Sequence, residues 1–344
     1  MQDWLENKMK LQIQCIETHT AGEPTRIVVA GLPSLGHGNL RQKIEVLRDK
    51  YDHIRTALML EPRGHRDMFG AILQPAQDPE ADIGVIFMNG DGYLNMCGHG
   101  SIGIMMVAVS QGLVATEGSQ TMVTLETPSG LVKGTVQHDS GEVKKVVLHG
   151  VPSFLLESGV TLTLSSGEPI SADVAFGGNL FALVNADFLH KNLKETPSAQ
   201  LKKIAHEIYL KINQYKNWQH PEQHKIKAVD HIKFYQNTGK NTFDSVTVAC
   251  VDGSPDGQVD RSPCGTGTAA KIAALYTKGA LKKGDVIRNC GIIGTEFMGG
   301  IARIQPFADH QAVIPFIEGT AFVTGYARHI IDLCDPLCQG FLVR

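Results

Sequence analysis

The chain carries one local design twice. Met96-Cys97-Gly98-His99-Gly100-Ser101-Ile102-Gly103 and Ser262-Pro263-Cys264-Gly265-Thr266-Gly267-Thr268-Ala269-Ala270 each place glycine at +1 and +3 after a cysteine, then a small and apolar run, then a glycine at +15, Gly112 and Gly279. The small-residue run predicts a tightly packed helix, the paired glycines a backbone that bends close to a neighbour, and the late glycine a C-terminal cap. Each cysteine then stands at a helix N-terminus, where unpaired N–H groups and the helix dipole favour a thiolate and can also hold a substrate carboxylate. A lone buried cysteine usually acts as a small hydrophobe. Such a residue has no need of glycines at +1 and +3, however, and the repetition ahead of a second helix of the same kind points to a pair of acid–base groups.

The duplication also constrains the fold. A length of 344 residues fits one large or two medium domains, and two copies of one design favour two. In chain order, Leu11 to Ile16 alternates as a strand, Glu17 to Pro24 reads as a polar turn, and Arg26 to Ala30 as the next strand. Leu40 to Arg55 has the spacing of a surface helix, and Glu61 to Gly70 reads as a loop holding His65, a candidate for a place near the site. The strand Asp82 to Met88 and the turn Asn89 to Gly92 deliver the chain to Cys97. Strands follow at Thr121 to Glu126, Gly130 to Gln137 and Val143 to Gly150, and Ser198 to Asn217 is an amphipathic helix with Leu201, Ile204, Ile208 and Ile212 on one face. Val246 to Val251 is a strand, and a glycine- and proline-bearing loop follows it before Asp260 and Cys264.

A helix that is apolar on nearly all sides must be buried, so the expected fold is α+β: two similar domains, each a barrel-like, mostly antiparallel sheet around a central helix. The expected boundaries are 1–152 for the first domain, with the C-terminal strands near 320–344 returning to it, and 153–319 for the second. The cysteines are expected to face the interdomain cleft.

Composition narrows the function. A net charge of −3 and 19% charged residues give no electrostatic surface for nucleic acid or anionic lipid, which leaves small-molecule chemistry. The polar start of the chain lacks the apolar run of a signal peptide, and no later stretch is long and apolar enough to span a bilayer, so a cytoplasmic location is expected. Seven scattered cysteines argue for reduced thiols. Cys334 and Cys338 form C-x3-C with no second matching pair, and read as ordinary thiols rather than metal ligands.

Five stretches together resemble the proline racemase family, cofactor-independent amino-acid racemases and epimerases that share the fold of diaminopimelate epimerase. They are Thr18-His19-Thr20-Ala21-Gly22-Glu23, Glu61-Pro62-Arg63-Gly64-His65, Met96 to Gly100, Phe176-Gly177-Gly178-Asn179 and Asp260 to Thr268. The likeness runs nearly end to end. It implies that one cysteine, as thiolate, takes the Cα proton from one face while the other, as thiol, delivers a proton to the opposite face. It further implies that backbone amides of Gly98, His99, Gly265 and Thr266 hold the substrate carboxylate and that Asp260 receives the ring ammonium. No metal, nicotinamide or pyridoxal cofactor is needed for that chemistry, and the expected assembly is a homodimer with a small imino acid as substrate.

Three readings compete. A racemase or epimerase of proline or hydroxyproline leads. The family's trans-3-hydroxy-L-proline dehydratase branch has threonine in place of the second cysteine, so Cys264 speaks against it. A non-catalytic amino-acid-binding protein has no use for two thiols on opposite faces. Phe69, in the Gly-His-x-Asp-Met-Phe pattern, and Tyr235 resemble members that accept unsubstituted proline, which puts proline ahead of 4-hydroxyproline; the segment Cys250 to Gln258 looks longer than usual.

Overall fold

The computed structural model describes residues 10–139, 142–190, 192–224, 226–250 and 257–343. Most of the long Cys250 to Gln258 segment lies outside the described residues. The chain divides into two compact units, Met1–Val146 with Thr320–Arg344, and Val147–Gly319.

The first unit holds strands β1 (Lys10–Thr20), β2 (Glu23–Ala30), β3 (Phe69–Gln74), β4 (Ile83–Asn89), β5 (Tyr93–Leu94), β6 (Gln120–Thr127), β7 (Gly130–Asp139) and the start of β8 (Glu142–His149). The second holds β9 (Ser153–Thr163), β10 (Pro169–Phe176), β11 (Leu180–Asn185), β12 (His231–Gly239), β13 (Thr242–Ala249), β14 (Gln258–Asp260), β15 (Val286–Cys290), β16 (Glu296–Ile304) and β17 (Ala312–Gly319). The last strand, β18 (Ala321–Asp332), pairs antiparallel with β1 in the first unit.

In the first unit the ladder runs β18–β1–β2–β3–β4–β6–β7 in the senses antiparallel, antiparallel, parallel, antiparallel, parallel, antiparallel. The second repeats it strand for strand as β9–β10–β11–β12–β13–β15–β16 in the same senses. There β17 joins β16 and then pairs with β9 through Ala312–Phe154 and Val313–Ser153, closing a barrel. A closed ladder leaves no edge for another chain to add to.

Each parallel step needs a crossover, and a helical segment supplies it. Between β2 and β3 run α1 (Leu40–Val46), a π-helical stretch (Leu47–Tyr51) and α2 (Asp52–Met59), whose Leu40, Ile44, Leu47, Ile54 and Leu58 enter the first unit's core. Between β11 and β12 runs α4 (Ser198–Tyr215), which buries Leu201, Ala205, Ile208 and Ile212 against the outside of its sheet. The other face of each sheet packs on a central helix, α3 (Gly98–Ser110) in the first unit and α5 (Gly265–Thr277) in the second. Every α3 residue from Gly98 to Val109 is buried, as the all-round apolar pattern required. Sheets covered on both faces carry buried residues at successive positions, and all seven residues of β4 are buried.

Both central helices end in one motif. Gly112 and Gly279 take left-handed backbones, φ +67° and +71°. Their N–H groups reach the carbonyls of Val109 and Tyr276, and those of Leu113 and Ala280 reach Ala108 and Leu275, the paired bonds of a Schellman cap.

The opening turn is tighter than its polar sequence suggested. Glu17 to Thr20 and Glu23 to Pro24 are strand, joined by Ala21 and Gly22 alone, at φ +50° and +93°. The polar residues that read as loop point inward and find partners there: Thr18 Oγ1 donates to Thr25 O at 2.9 Å and Thr20 Oγ1 to His99 O at 2.8 Å. Cys338 is buried in the first unit's core and Cys334 is exposed; neither is in a disulfide.

Candidate active site

Cys97 is the N-cap of α3. Its backbone is extended, φ −142° and ψ 120°, and its Sγ accepts the Gly100 N–H at 3.4 Å. Its carbonyl accepts the Ser101 hydroxyl at 2.7 Å. The His99 ring brings its nitrogens to 3.5 and 3.6 Å from Sγ, within reach of proton sharing. Phe69, at the head of β3, meets that imidazole edge-on, ring centroids 4.8 Å apart and planes at 86°. A side chain at Gly100 would lie 2.8 Å from the Phe87 ring and 3.1 Å from Cys97 Sγ, so glycine there is a steric requirement of the thiol's seat. His65 is exposed in the loop ahead of β3.

Cys264 caps α5 in the matching way. Its Sγ accepts the Gly267 N–H at 3.4 Å, and its carbonyl accepts the Thr268 hydroxyl at 2.7 Å. Thr266 Oγ1 stands 3.7 Å from the sulfur where His99 stands in the first unit. The backbone differs, because Cys264 has φ +64° and ψ 105°, a conformation that costs a non-glycine residue about 1–3 kcal/mol. Neighbours hold it there. Asp260 Oδ1 accepts both the N–H and the hydroxyl of Ser262, and the Ser262 Oγ in turn accepts the Cys264 N–H at 3.0 Å. The Pro263 carbonyl accepts from Lys233 Nζ and from Asn289 Nδ2, each at 2.8 Å. Burial, then the Asp260 carboxylate, push the Cys264 thiol up to about 11, against the Lys233 charge and the Gly267 N–H, which favour the thiolate.

The remaining motif residues divide by location. Gly98 and His99 form the first turn of α3, and Gly265 and Thr266 that of α5, where N–H groups have no carbonyl four residues back to receive them. Gly177 packs under this turn: a Cβ there would come within 2.3 Å of Thr266 O, which accounts for the glycine pair after Phe176. Tyr235 packs against the small cluster that includes Cys264, Phe181 and Ala270, and its ring also meets Lys271, whose Nζ lies 2.9 Å from the ring centroid. Among the described residues, one trio could hold a metal ion, Cys15, Glu17 and His329, with donor atoms within 4.8 Å of one another. The Glu17 carboxylate there already pairs with Arg26 at 2.7 Å and His329 at 3.2 Å, and the guanidinium is a poor neighbour for a cation.

Lys233, Ser262 and Asn289 escaped the sequence reading. On β12 the polar residues His231, Lys233 and Tyr235 alternate with Ile232 and Phe234, which reads as one solvated face and one buried one. Here both faces are covered: Ile232 and Phe234 pack in the core shared with α4, and Lys233 is fully buried on the α5 side.

Known proteins give the arrangement its relatives. The profile described as proline racemase matches residues 15–342. A proline racemase of Clostridioides difficile is 42% identical over 98% of this chain and 100% of its own length, and a 4-hydroxyproline epimerase of Brucella ovis is 38% identical over 96% and 98%. The crystal structure of a hydroxyproline epimerase from Agrobacterium vitis with bound trans-4-hydroxy-L-proline superposes with a TM-score of 0.86 at 30% identity, covering 96% of each chain. With matches over nearly its whole length and two thiol-capped helices in a duplicated α+β fold, the chain belongs to the proline racemase family.

Proposed function

We propose that this protein is an isomerase that interconverts L- and D-proline by two-base proton transfer, with Cys97 and Cys264 as the acid–base pair. One thiolate removes the Cα proton, the electron pair passes into the carboxylate as an enolate-like species, and the other thiol protonates the opposite face of Cα. The first thiol and second thiolate that result are the mirror-image resting state, ready for the other enantiomer. The observation that carries this reading is the repeated seat of the thiols, each an N-cap whose sulfur accepts the +3 glycine N–H at 3.4 Å. Backbone N–H groups of the first turns of the same two helices, at Gly98, His99, Gly265 and Thr266, are assigned to the carboxylate, and Asp260 to the ring ammonium. A donor aimed at the developing negative charge lowers such barriers by about 3 kcal/mol.

Proline is preferred to 4-hydroxyproline as substrate on two grounds. Relatives named proline racemase share more of the sequence than those named 4-hydroxyproline epimerase, and the half-buried benzyl ring of Phe69 packs directly on His99. The reaction is proposed to run in the cytoplasm, in a homodimer, without cofactor. Incubation with each L-imino acid in heavy water tests the assignment: proline is expected to gain deuterium at Cα and lose optical rotation. Exchange with trans-4-hydroxy-L-proline and none with proline would move the enzyme to the epimerases; exchange with neither would remove the racemase reading.

A further inference from the structure

The strand registers allow the ground beneath the two cysteines to be compared residue by residue. In the first unit Ala71 of β3 pairs with Phe87 of β4, and Phe87 with Leu94 of β5, three residues before Cys97. In the second, Lys233 of β12 pairs with Thr247 of β13, and Thr247 with Asp260 of β14, four residues before Cys264. The parallel step extends the correspondence: Ile83 pairs with Leu125 in the first unit, and Phe243 with Asn289 in the second. Ala71, Phe87, Leu94 and Leu125 thus stand where the other unit has Lys233, Thr247, Asp260 and Asn289. One thiol sits on an apolar floor and the other on a polar one.

The polar floor is organised by Lys233. Its side chain is fully buried, and its stem runs under Gly267, where an added Cβ would lie 3.0 Å from Lys233 Cδ. The ammonium has three protons and three oxygens to receive them, Pro263 O at 2.8 Å, Ser245 Oγ at 3.1 Å and Thr247 Oγ1 at 3.5 Å. Of the other charged or titratable groups described near Cys264, Arg261 turns its guanidinium to the Val259 carbonyl at 3.1 Å, and three more lie on β14, β12 and α5. Asp260 is an acid, burial lowers His231 on β12 to about 4, and burial lowers Lys271 on α5 to about 6. Burial disfavours the Lys233 cation as well, and its attraction to Cys264 and Asp260 opposes that.

We propose that Lys233 is the positioning residue of the second thiol: its buried ammonium fixes the Pro263 carbonyl behind the strained Cys264 backbone and is the countercharge against which the Cys264 thiolate forms. Among the described residues, the corresponding positions below Cys97 are Ala71, Phe87, Leu94 and Leu125, none of them a cation, and His99 stands beside the sulfur instead. This inference rests on the assignment of Cys264 as an acid–base group but is tested without turnover.

The test is the rate of iodoacetamide alkylation at each cysteine, resolved by peptide mass spectrometry across pH 7 to 10. Below its midpoint a thiol reacts in proportion to its thiolate fraction, tenfold per pH unit. Lys233→Gln retains a donor for Pro263 and discards the charge. It is expected to slow alkylation of Cys264 at pH 8.5 by about tenfold or more and leave Cys97 within about twofold. A purely structural role would let the glutamine preserve the Cys264 rate, and that result in a folded variant overturns the proposal. Ser245→Ala, a small change that removes one ammonium acceptor, should slow Cys264 in the same direction and by less; if Lys233→Gln does not fold, an unaltered Cys264 rate in Ser245→Ala overturns the proposal by itself. Because alkylation needs no substrate, a slowed Cys264 in a protein that fails to exchange the proline Cα proton would sink the racemase reading and leave this one standing.

Discussion

The two thiol seats share a backbone design and differ in nearly everything beneath it. Both use an N-cap cysteine, a +3 glycine whose N–H reaches the sulfur, and a +4 hydroxyl on the cysteine carbonyl at 2.7 Å. Under Cys97 lie Ala71, Phe87 and Leu125, with a relaxed N-cap backbone and an imidazole at the sulfur. Under Cys264 lie Lys233, Thr247 and Asn289, with a left-handed φ held by hydrogen bonds to Ser262 and Pro263. The shared part is what a helix end needs in order to stabilise a thiolate. The unshared part surrounds each thiol differently, with an imidazole ring beside one sulfur and a buried lysine beneath the other. A racemase must leave its two acids unequal at any moment, and unequal surroundings are compatible with that.

The broadest test of the comparison is removal of each sulfur. Cys97→Ser and Cys264→Ser are each expected to lower proline racemisation by about a thousandfold or more, since an alcohol is too weak an acid to exchange roles with a thiol. If one variant kept about a tenth of the wild-type kcat, the two seats would be unequal in kind, and one would be dispensable.

Phe69 tests the first seat. Its ring against His99 would leave the hydroxyl of 4-hydroxyproline desolvated without a partner, at a cost of about 1–3 kcal/mol. Phe69→Ser is therefore expected to shift the kcat/KM ratio toward trans-4-hydroxy-L-proline by roughly tenfold to a hundredfold. A ratio that does not move would place the choice of substrate elsewhere.

The glycines sharpen the contrast in packing. An added methyl at Gly100 meets the rigid Phe87 ring at 2.8 Å, whereas at Gly267 it meets the Lys233 stem and the Phe181 ring, each at 3.0 Å. Overpacking of this kind costs about 1–3 kcal/mol. Urea titrations of the two alanine variants are expected to show Gly100→Ala as the more destabilised, because its methyl would lie closer to a buried ring, 2.8 Å against 3.0 Å; the reverse order would contradict the picture of a stiff apolar floor under Cys97.

The smallest effect concerns pH. Where the first unit has Phe69 opposite Asn89, the second has His231 opposite Ala249, and burial lowers that imidazole from 6.5 to about 4. A depressed folded value means that the unfolded chain takes up the proton first. The contribution to stability is therefore complete above pH 6.5 and is lost as pH falls toward 4, by roughly 1–3 kcal/mol. Denaturation midpoints between pH 7 and 4.5 should fall more steeply for the wild type than for His231→Phe. Parallel slopes would mean that His231 is protonated in the folded protein.

The sequence by itself determined the parts of this protein that depend on neighbours along the chain. The caps at Cys97 and Cys264, the all-round apolar helices behind them and the glycines at 112 and 279 are local, set by a few adjacent residues and by backbone sterics, so the two thiol-capped helices and the doubled α+β plan were legible before any coordinates. The opening hairpin was misjudged because its threonines looked like a solvated turn, whereas they pair with β2 and β18 and turn their hydroxyls to the carbonyls of Thr25 and His99. Tyr235 read as a substrate contact, and what the fold adds is its packing on the cluster around Cys264 and the Lys271 ammonium over its ring. Lys233 looked like one more polar residue on an alternating strand. Its burial depends on α5 covering one face of β12 and α4 the other, and on oxygens from Ser245, Thr247 and Pro263, residues 12 to 30 positions away, arriving at one point. Strand period records which residues share a face but not what lies against it, and what lies against β12 was decided by the closing of the barrel.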